Sequence, residues 1–145
     1  MVRAATLKDL PGILKILNDL KGKNDPTTGF ASWTKSKIES ELTEAHSFVY
    51  EEDGISGFIL YRTIPDGYEI TLLGTDPHKQ KRGIMGQTLA VLLKSLKKDQ
   101  FVWLEVHEGN LAARRLYEKM GFKVTGRRPR YYGGGAACLN LEFRL

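Results

Sequence analysis

The chain has 145 residues, 41% hydrophobic and 27% charged, with a net charge of +5. That balance belongs to a soluble globular protein with room for one substantial core and too little length for two ordinary domains. No apolar run approaches the roughly 20 residues that span a bilayer, the start MVRAATLKDL lacks a secretory apolar core, and the single cysteine, Cys138, excludes an internal disulfide and argues against a cysteine-based zinc site. The expected location is therefore cytoplasmic, with no metal and no membrane contact. The positive excess suits any polyphosphate ligand. A nucleic-acid partner is not expected, because acidic residues are interspersed among the basic ones and no nucleic-acid motif is present.

Residues 2 to 5 read as a short strand leading into a helix. In TLKDLPGILKILNDL, Leu10, Ile13, Leu14 and Leu17 fall at i, i+3, i+4 and i+7, and Thr6 and Asp9 have the spacing of a capping box. KGKNDPTTG reads as a loop. After Phe30 and Trp33, TKSKIESEL reads as a second helix capped by Thr34 or Ser36. The period then shortens: HSFVYEEDGISGFILYRT is two strand-like runs around Asp53-Gly54, a dipeptide suited to a tight hairpin. YEITLLGTDP is a third run, stopped at Asp76-Pro77. Leu89, Leu92, Leu93 and Leu96 mark a long amphipathic helix. FVWLEVH is nearly all apolar, as expected of a strand covered on both faces. NLAARRLYEKMGF reads as a helix closed by Gly121, and CLNLEFRL alternates as a last strand. The order βα(α)βββαβαββ describes one α/β domain over residues 1–145 around a mixed sheet.

The stretch QKRGIMGQTL, residues 80–89, places Gly83 and Gly86 between basic residues Lys79, Lys81 and Arg82 and the start of a helix. Unpaired amides at a helix start favour an anion, and glycine lets a phosphate approach the backbone closely. The same glycines would serve a plain helix-opening turn. Neither GxxxxGK[ST] nor GxGxxG is present, so nucleotide P-loops and dinucleotide folds are excluded.

DPHKQKRGIMGQTL resembles the acetyl-CoA signature of the GNAT acetyltransferase superfamily, Q/R-x-x-G-x-G/A. Gln80 and Gly83 hold the first two positions, and Met85 stands where glycine or alanine is usual. Residues 103 to 132 resemble the ribosomal-protein N-terminal alanine acetyltransferases more closely, through Leu104, Glu105, Val106, Asn110, Ala113, Leu116, Tyr117, Gly121, Phe122, Gly126, Arg128, Tyr131 and Tyr132. The resemblance implies a GNAT-type fold, with a mixed, mostly antiparallel sheet of about seven strands and flanking helices. It implies acetyl-CoA as cosubstrate, its pyrophosphate held by the amides of Lys81, Arg82, Gly83, Ile84, Met85 and Gly86. It further implies an amine acceptor, first of all a protein α-amino group. Lysine side chains, polyamines and other small amines keep the chemistry and change the acceptor. A basic nucleic-acid-binding domain and a CoA sensor without catalysis are the non-enzymatic readings.

Acetyl transfer to an ammonium needs a proton acceptor, and the departing thiolate benefits from a donor. Glu105 shares a strand face with Phe101 and Trp103 by alternation, and a carboxylate among apolar neighbours is a stronger base unless an arginine such as Arg128 pairs with it. The resemblance places the general base at Glu105. Glu69, opening the strand YEITLLG, is the rival, where other GNAT branches carry theirs. Tyr117 is the expected general acid, a phenol of basicity comparable to a thiolate. Asn110 either caps its helix or bonds the pantetheine arm. Leu73, Gly74 and Thr75 would offer main-chain groups to the pantetheine and thioester, and Gly74 suits a strand position that a ligand or neighbour approaches closely. Trp33, Tyr131 and Tyr132 are candidates for the acceptor side. The segment GGGAACLNLEF departs from the resembling family, which usually has acidic residues where this chain has alanines.

Overall fold

In the computed structural model, residues 1–129, 131 and 135–145 are described. The strands are β1 Val2–Ala4, β2 His46–Glu51, β3 Ile55–Ile64, β4 Gly67–Thr75, β5 Phe101–His107, β6 Lys123–Arg128 and β7 Cys138–Arg144. The helices are α1 Leu10–Lys21, α2 Lys35–Glu44, α3 Ile84–Lys94 and α4 Leu111–Lys119. All seven strands form one sheet in the order β1-β2-β3-β4-β5-β7-β6. Every pairing is antiparallel except β4 with β5.

Local chemistry explains the boundaries. Asp53 and Gly54 both take positive φ, 51° and 89°, as the tight β2–β3 hairpin requires. Thr6 and Asp9 form the capping box, with the Thr6 amide donating to Asp9 Oδ2 at 2.9 Å, but it opens a single 3-10 turn just ahead of α1. Thr34 caps α2 by accepting from the Lys37 amide at 3.3 Å.

The sheet carries a core on each face. Ile13, Leu17 and Ile38 of α1 and α2 pack with Val49, Phe58 and Leu60 on one side. Leu89 and Leu92 of α3 and Tyr117 of α4 pack with Ile59, Leu104 and Leu141 on the other. A bulge gives β4 one extra residue, Thr71, between the pairs Tyr61↔Ile70 and Leu60↔Leu72. Ile70 and Leu72 consequently enter opposite cores.

One strand expectation fails. β5 is not covered on both faces: Val102, Leu104 and Val106 are buried under α3 and α4, while Phe101, Trp103, Glu105 and His107 stay half-exposed. The helices of the other face lie over β2, β3 and β4 and stop short of β5. Apolar Phe101 and Trp103 disguised an alternating strand as a continuous run.

Candidate active site

β4 and β5 pair over only three positions, Gly67↔Phe101, Tyr68↔Val102 and Glu69↔Trp103. Beyond them the strands part, because β4 continues beside β3 to Thr75 whereas β5 follows β7 to His107. The parting opens a cleft of about 710 Å³. Its walls are the free edge of β4, the far half of β5, the first turns of α3 and α4, and the α1–α2 loop. A cleft of this size suits a small organic ligand.

The glycine-rich turn lies at one end. Gly83 caps α3 in the left-handed region (φ 75°), and Lys81 before it has φ 66°. Ile84, Met85 and Gly86 form the first helical turn, whose amides have no intrahelical acceptor. Side-chain atoms do not crowd the turn: a methyl group on Gly83 would first meet the Gln87 amide at 3.8 Å, and one on Gly86 would meet Leu116 at 4.0 Å. Met85 points into the core and is buried, so a side chain at that position leaves the amides open. Lys81 and Arg82 are exposed, whereas Lys79 is committed elsewhere. Its Nζ donates to the Glu52 carbonyl at 3.0 Å and Ser56 Oγ at 2.9 Å, fastening the β2–β3 hairpin to the turn.

Leu73, Gly74 and Thr75 line the cleft from β4. Gly74 is small because of its neighbours: an added methyl would stand 2.9 Å from Leu20 and 3.0 Å from Phe58. The bulge lies earlier in the strand, at Thr71.

Glu105, Asn110 and Tyr117 line the same cleft. Glu105 is not among apolar neighbours. Its Oε1 lies 3.2 Å from Arg128 Nη2 and its Oε2 accepts from Cys138 Sγ at 3.6 Å, with Asn140 directly across on β7. Asn110 caps α4, accepting from the Ala113 amide at 3.3 Å, and still faces the cleft. The Tyr117 ring rests on Phe122, 5.5 Å between centroids, and burial raises its pKa well above that of a free phenol. The expected match to thiolate basicity therefore does not hold: Tyr117 keeps its proton more firmly than a thiol does.

Glu69 sits at the apex where pairing ends, outside the cleft wall. Burial pushes its pKa up, the Arg62 charge opposes this, and the Glu105 and Glu41 charges add to the rise. Arg62 itself is drawn to Glu41 of α2: its Nε donates to Oε1 at 3.0 Å, and Nη2 makes a second, shorter contact with the same oxygen. Sequence reading missed this pair, since nothing in TKSKIESEL marks Glu41 as buried.

Trp33 does not line the cleft and packs against the α1/α2 core. Tyr131 is half-exposed under the Arg128 guanidinium, 5.3 Å from ring centre to Cζ. Tyr132 lies outside the described residues. The α1–α2 loop closes one side of the cleft. Asp25 accepts from the Thr27 amide at 2.9 Å and hydroxyl at 2.7 Å, and these bonds, with the nearby His107, hold its pKa below the ordinary carboxylate value. Among the described residues, no helix is long and apolar enough to cross a membrane.

The sequence model of the Acetyltransferase (GNAT) family matches residues 10–122. The N-alpha-acetyltransferase RimI of Mycobacterium tuberculosis is 36% identical over 107 residues, covering 69% of this chain and 67% of that protein. A ribosomal protein bS18-alanine N-acetyltransferase of Haemophilus ducreyi is 32% identical over 84 residues, 57% of this chain and 58% of its own. The crystal structure of the ribosomal-protein-S18-alanine N-acetyltransferase from Escherichia coli shares the fold, with a TM-score of 0.78 at 22% identity over 99% of this chain and 92% of that one. This chain belongs to the GNAT family of acetyltransferases, enzymes that use acetyl-CoA as cosubstrate.

Proposed function

We propose that the chain transfers acetyl from acetyl-CoA to the α-amino group of a protein N-terminus. The observation that carries this reading is a single cleft lined at one end by an open helix start and further along by a carboxylate and a phenol, Glu105 and Tyr117. The fit to acetyl-CoA rests on residues already described. The amides of residues 81–86, with the charges of Lys81 and Arg82, suit the pyrophosphate, and the unpaired edge of Leu73, Gly74 and Thr75 suits the amide-bearing pantetheine arm. Asn110 reaches the same arm from the cap of α4.

Bound acetyl-CoA supplies the acetyl group as a thioester whose sulfur leaves as a thiolate. An α-ammonium has an ordinary pKa of about 7.7–8.0 and must lose a proton before it can attack. Glu105 accepts that proton at a carboxylate oxygen, directly or through one water. Tyr117 offers its hydroxyl as a hydrogen bond to the departing sulfur and retains the proton until the charge has developed there. Glu69, at the apex and outside the cleft wall, adds negative potential that favours a cationic acceptor. The α-amino reading draws on the relatives, one an N-alpha-acetyltransferase and another acting on an alanine of ribosomal protein bS18.

Thiol release from acetyl-CoA tests the reading. The acceptors are α-amino peptides, including one with an N-terminal alanine, lysine peptides with blocked N-termini, and polyamines. Selective turnover of an α-amino peptide is expected. Turnover confined to lysine or polyamines would replace the acceptor, and absence of acetyl-CoA binding by calorimetry would overturn the reading.

A further inference from the structure

We propose that Arg128 is a positioning residue that occupies the Glu105 carboxylate until the ammonium of an acceptor displaces it. The inference rests on the proposed function and adds to it a condition on the acceptor: a group must bring a positive charge to free the base.

Both oxygens of Glu105 are engaged, Oε1 by Arg128 Nη2 at 3.2 Å and Oε2 by Cys138 Sγ at 3.6 Å. Each oxygen keeps a further acceptor site, but a guanidinium on Oε1 repels an incoming ammonium, so binding of the acceptor favours the departure of one partner. Cys138 is fully buried at the start of β7, across from Arg128 in the β6–β7 ladder, and its packing keeps it in place. Arg128 is different. It ends β6, the edge strand, and its side chain is 51% exposed against 26% for Glu105.

The Arg62–Glu41 pair shows what a fixed pair looks like. Arg62 gives Glu41 two hydrogen bonds, and the Glu41 side chain is 4% exposed on α2. Arg128 meets Glu105 with Nη2 at 3.2 Å, at a partly open position. It also has a second resting place, since its guanidinium already lies over the Tyr131 ring, where cation–π attraction offsets part of what is lost on leaving the carboxylate.

Exchange of guanidinium for ammonium is neutral in charge, and Glu69, close enough to Glu105 for their charges to interact, adds negative potential at the apex. A hydroxyl in place of the amine brings no charge and leaves Arg128 seated. A partly exposed ion pair biases its equilibrium about two- to fivefold, which sets the size of the effect.

The test is steady-state kinetics of Arg128→Gln and Arg128→Lys with an α-amino peptide that the unmodified enzyme acetylates. The same peptide bearing an α-hydroxyl serves as competitive inhibitor. In Arg128→Gln the acceptor KM is expected to fall about two- to fivefold, with kcat moving less and the acetyl-CoA KM unchanged. The α-hydroxyl peptide, which does not displace Arg128, should keep its inhibition constant nearly unchanged, and tightening equal to that of the amine overturns the proposal. Arg128→Lys, which restores the charge, should return the acceptor KM towards that of the unmodified enzyme. Arg128→Thr repeats the comparison with a strand-favouring side chain if glutamine weakens the edge strand. An acceptor KM that is unchanged or raised, or a lysine variant that behaves like glutamine, overturns the proposal while leaving the proposed function intact. An unmodified enzyme that acetylates no α-amino peptide overturns both.

Discussion

Glu69 opposite Trp103 is the last pair that joins β4 to β5, and every residue these two strands give to the cleft lies beyond it, from Ile70 on β4 and Leu104 on β5. The site is thus made by ending a ladder. A parallel pair held at one end and released at the other exposes main-chain groups on β4 that a fully paired strand would have spent on its neighbour. The two candidate glutamates fall on either side of this boundary, which is why one lines the cleft and the other does not.

The closed end of the ladder should be intolerant of bulk. Gly67 lies against Phe101, and a methyl on it would stand 2.1 Å from the Phe101 carbonyl oxygen, a distance only backbone movement can relieve. Gly67→Ala is expected to cost about 2 kcal/mol or more, lowering Tm by roughly 5 °C or more. Thermal unfolding monitored by circular dichroism checks this; a Tm within a degree of the unmodified protein would mean that the three-pair ladder does not hold the apex.

Gly74 separates a packing role from a ligand role. A methyl there meets Leu20 at 2.9 Å and Phe58 at 3.0 Å, both side chains of the α1 core. Overpacking of this kind costs about 1–3 kcal/mol. Gly74→Ala should therefore lower Tm first, and the acetyl-CoA KM, measured well below that Tm, should change comparatively little. A large rise in KM at unchanged Tm would instead mean that the ligand needs the space.

The element order and the glycine-rich end of the cleft were legible in the sequence because both depend on local signals: helical spacing, the Asp53-Gly54 turn, and glycines ahead of an apolar helix. Glu105 and Tyr117 at the other end came from the family resemblance. What was not legible depends on register and on neighbours distant in the chain. Cys138 reaches Glu105 only because His107 pairs with Cys138, and Glu105 with Asn140, across β5 and β7. Glu41 is buried because Arg62, 21 residues on, lies beneath it. Phe101 and Trp103 concealed a half-exposed face, and that concealment produced the mistaken apolar surroundings of Glu105. The closeness of Arg128 to Glu105 was open as an alternative in the sequence, and no spacing rule could have chosen it.

The positions of the glutamates predict unequal kinetic effects. Glu105→Gln removes the proton acceptor in the cleft and should lower kcat/KM for the peptide by about 10²-fold or more. Glu69→Gln removes only a charge beyond the cleft wall and should lower it by less than about tenfold. Parallel pH-independent rates for the two variants, obtained from thiol release, make the comparison. Equal and mild losses would remove Glu105 from the role of base.

Asp9 should govern part of the acid stability. Arg3 grips it with Nη1 on Oδ2 at 2.9 Å and Nη2 on Oδ1 at 2.8 Å, and the Arg3 hydrogen bonds, opposed by burial and helped by the Thr6 amide, hold its pKa below the ordinary carboxylate value. A depressed folded-state pKa contributes stability above the unfolded value of about 3.9, lost as pH falls through the folded one. Asp9→Asn should cost about 1–3 kcal/mol at pH 7, and the Tm gap to the unmodified protein should narrow once the pH drops below about 4. A gap that persists unchanged to pH 2 would assign the loss to packing instead of charge.

Glu69 should behave in the opposite sense. Its folded-state pKa is raised, with burial the main cause, so the native state binds its proton more tightly than the unfolded chain does. Stability then falls as pH rises from the unfolded value of about 4.3 through the folded one, and the ionised carboxylate is a liability at neutral pH. Glu69→Gln is accordingly expected to raise Tm at pH 7 by roughly 1–3 °C, with the gain fading towards pH 4, where the unmodified side chain is mostly protonated in both states. Paired thermal melts at pH 7 and pH 4 decide it. A variant that is less stable at pH 7 would mean that attraction to Arg62 outweighs desolvation at the apex, and that Glu69 is held there for structure.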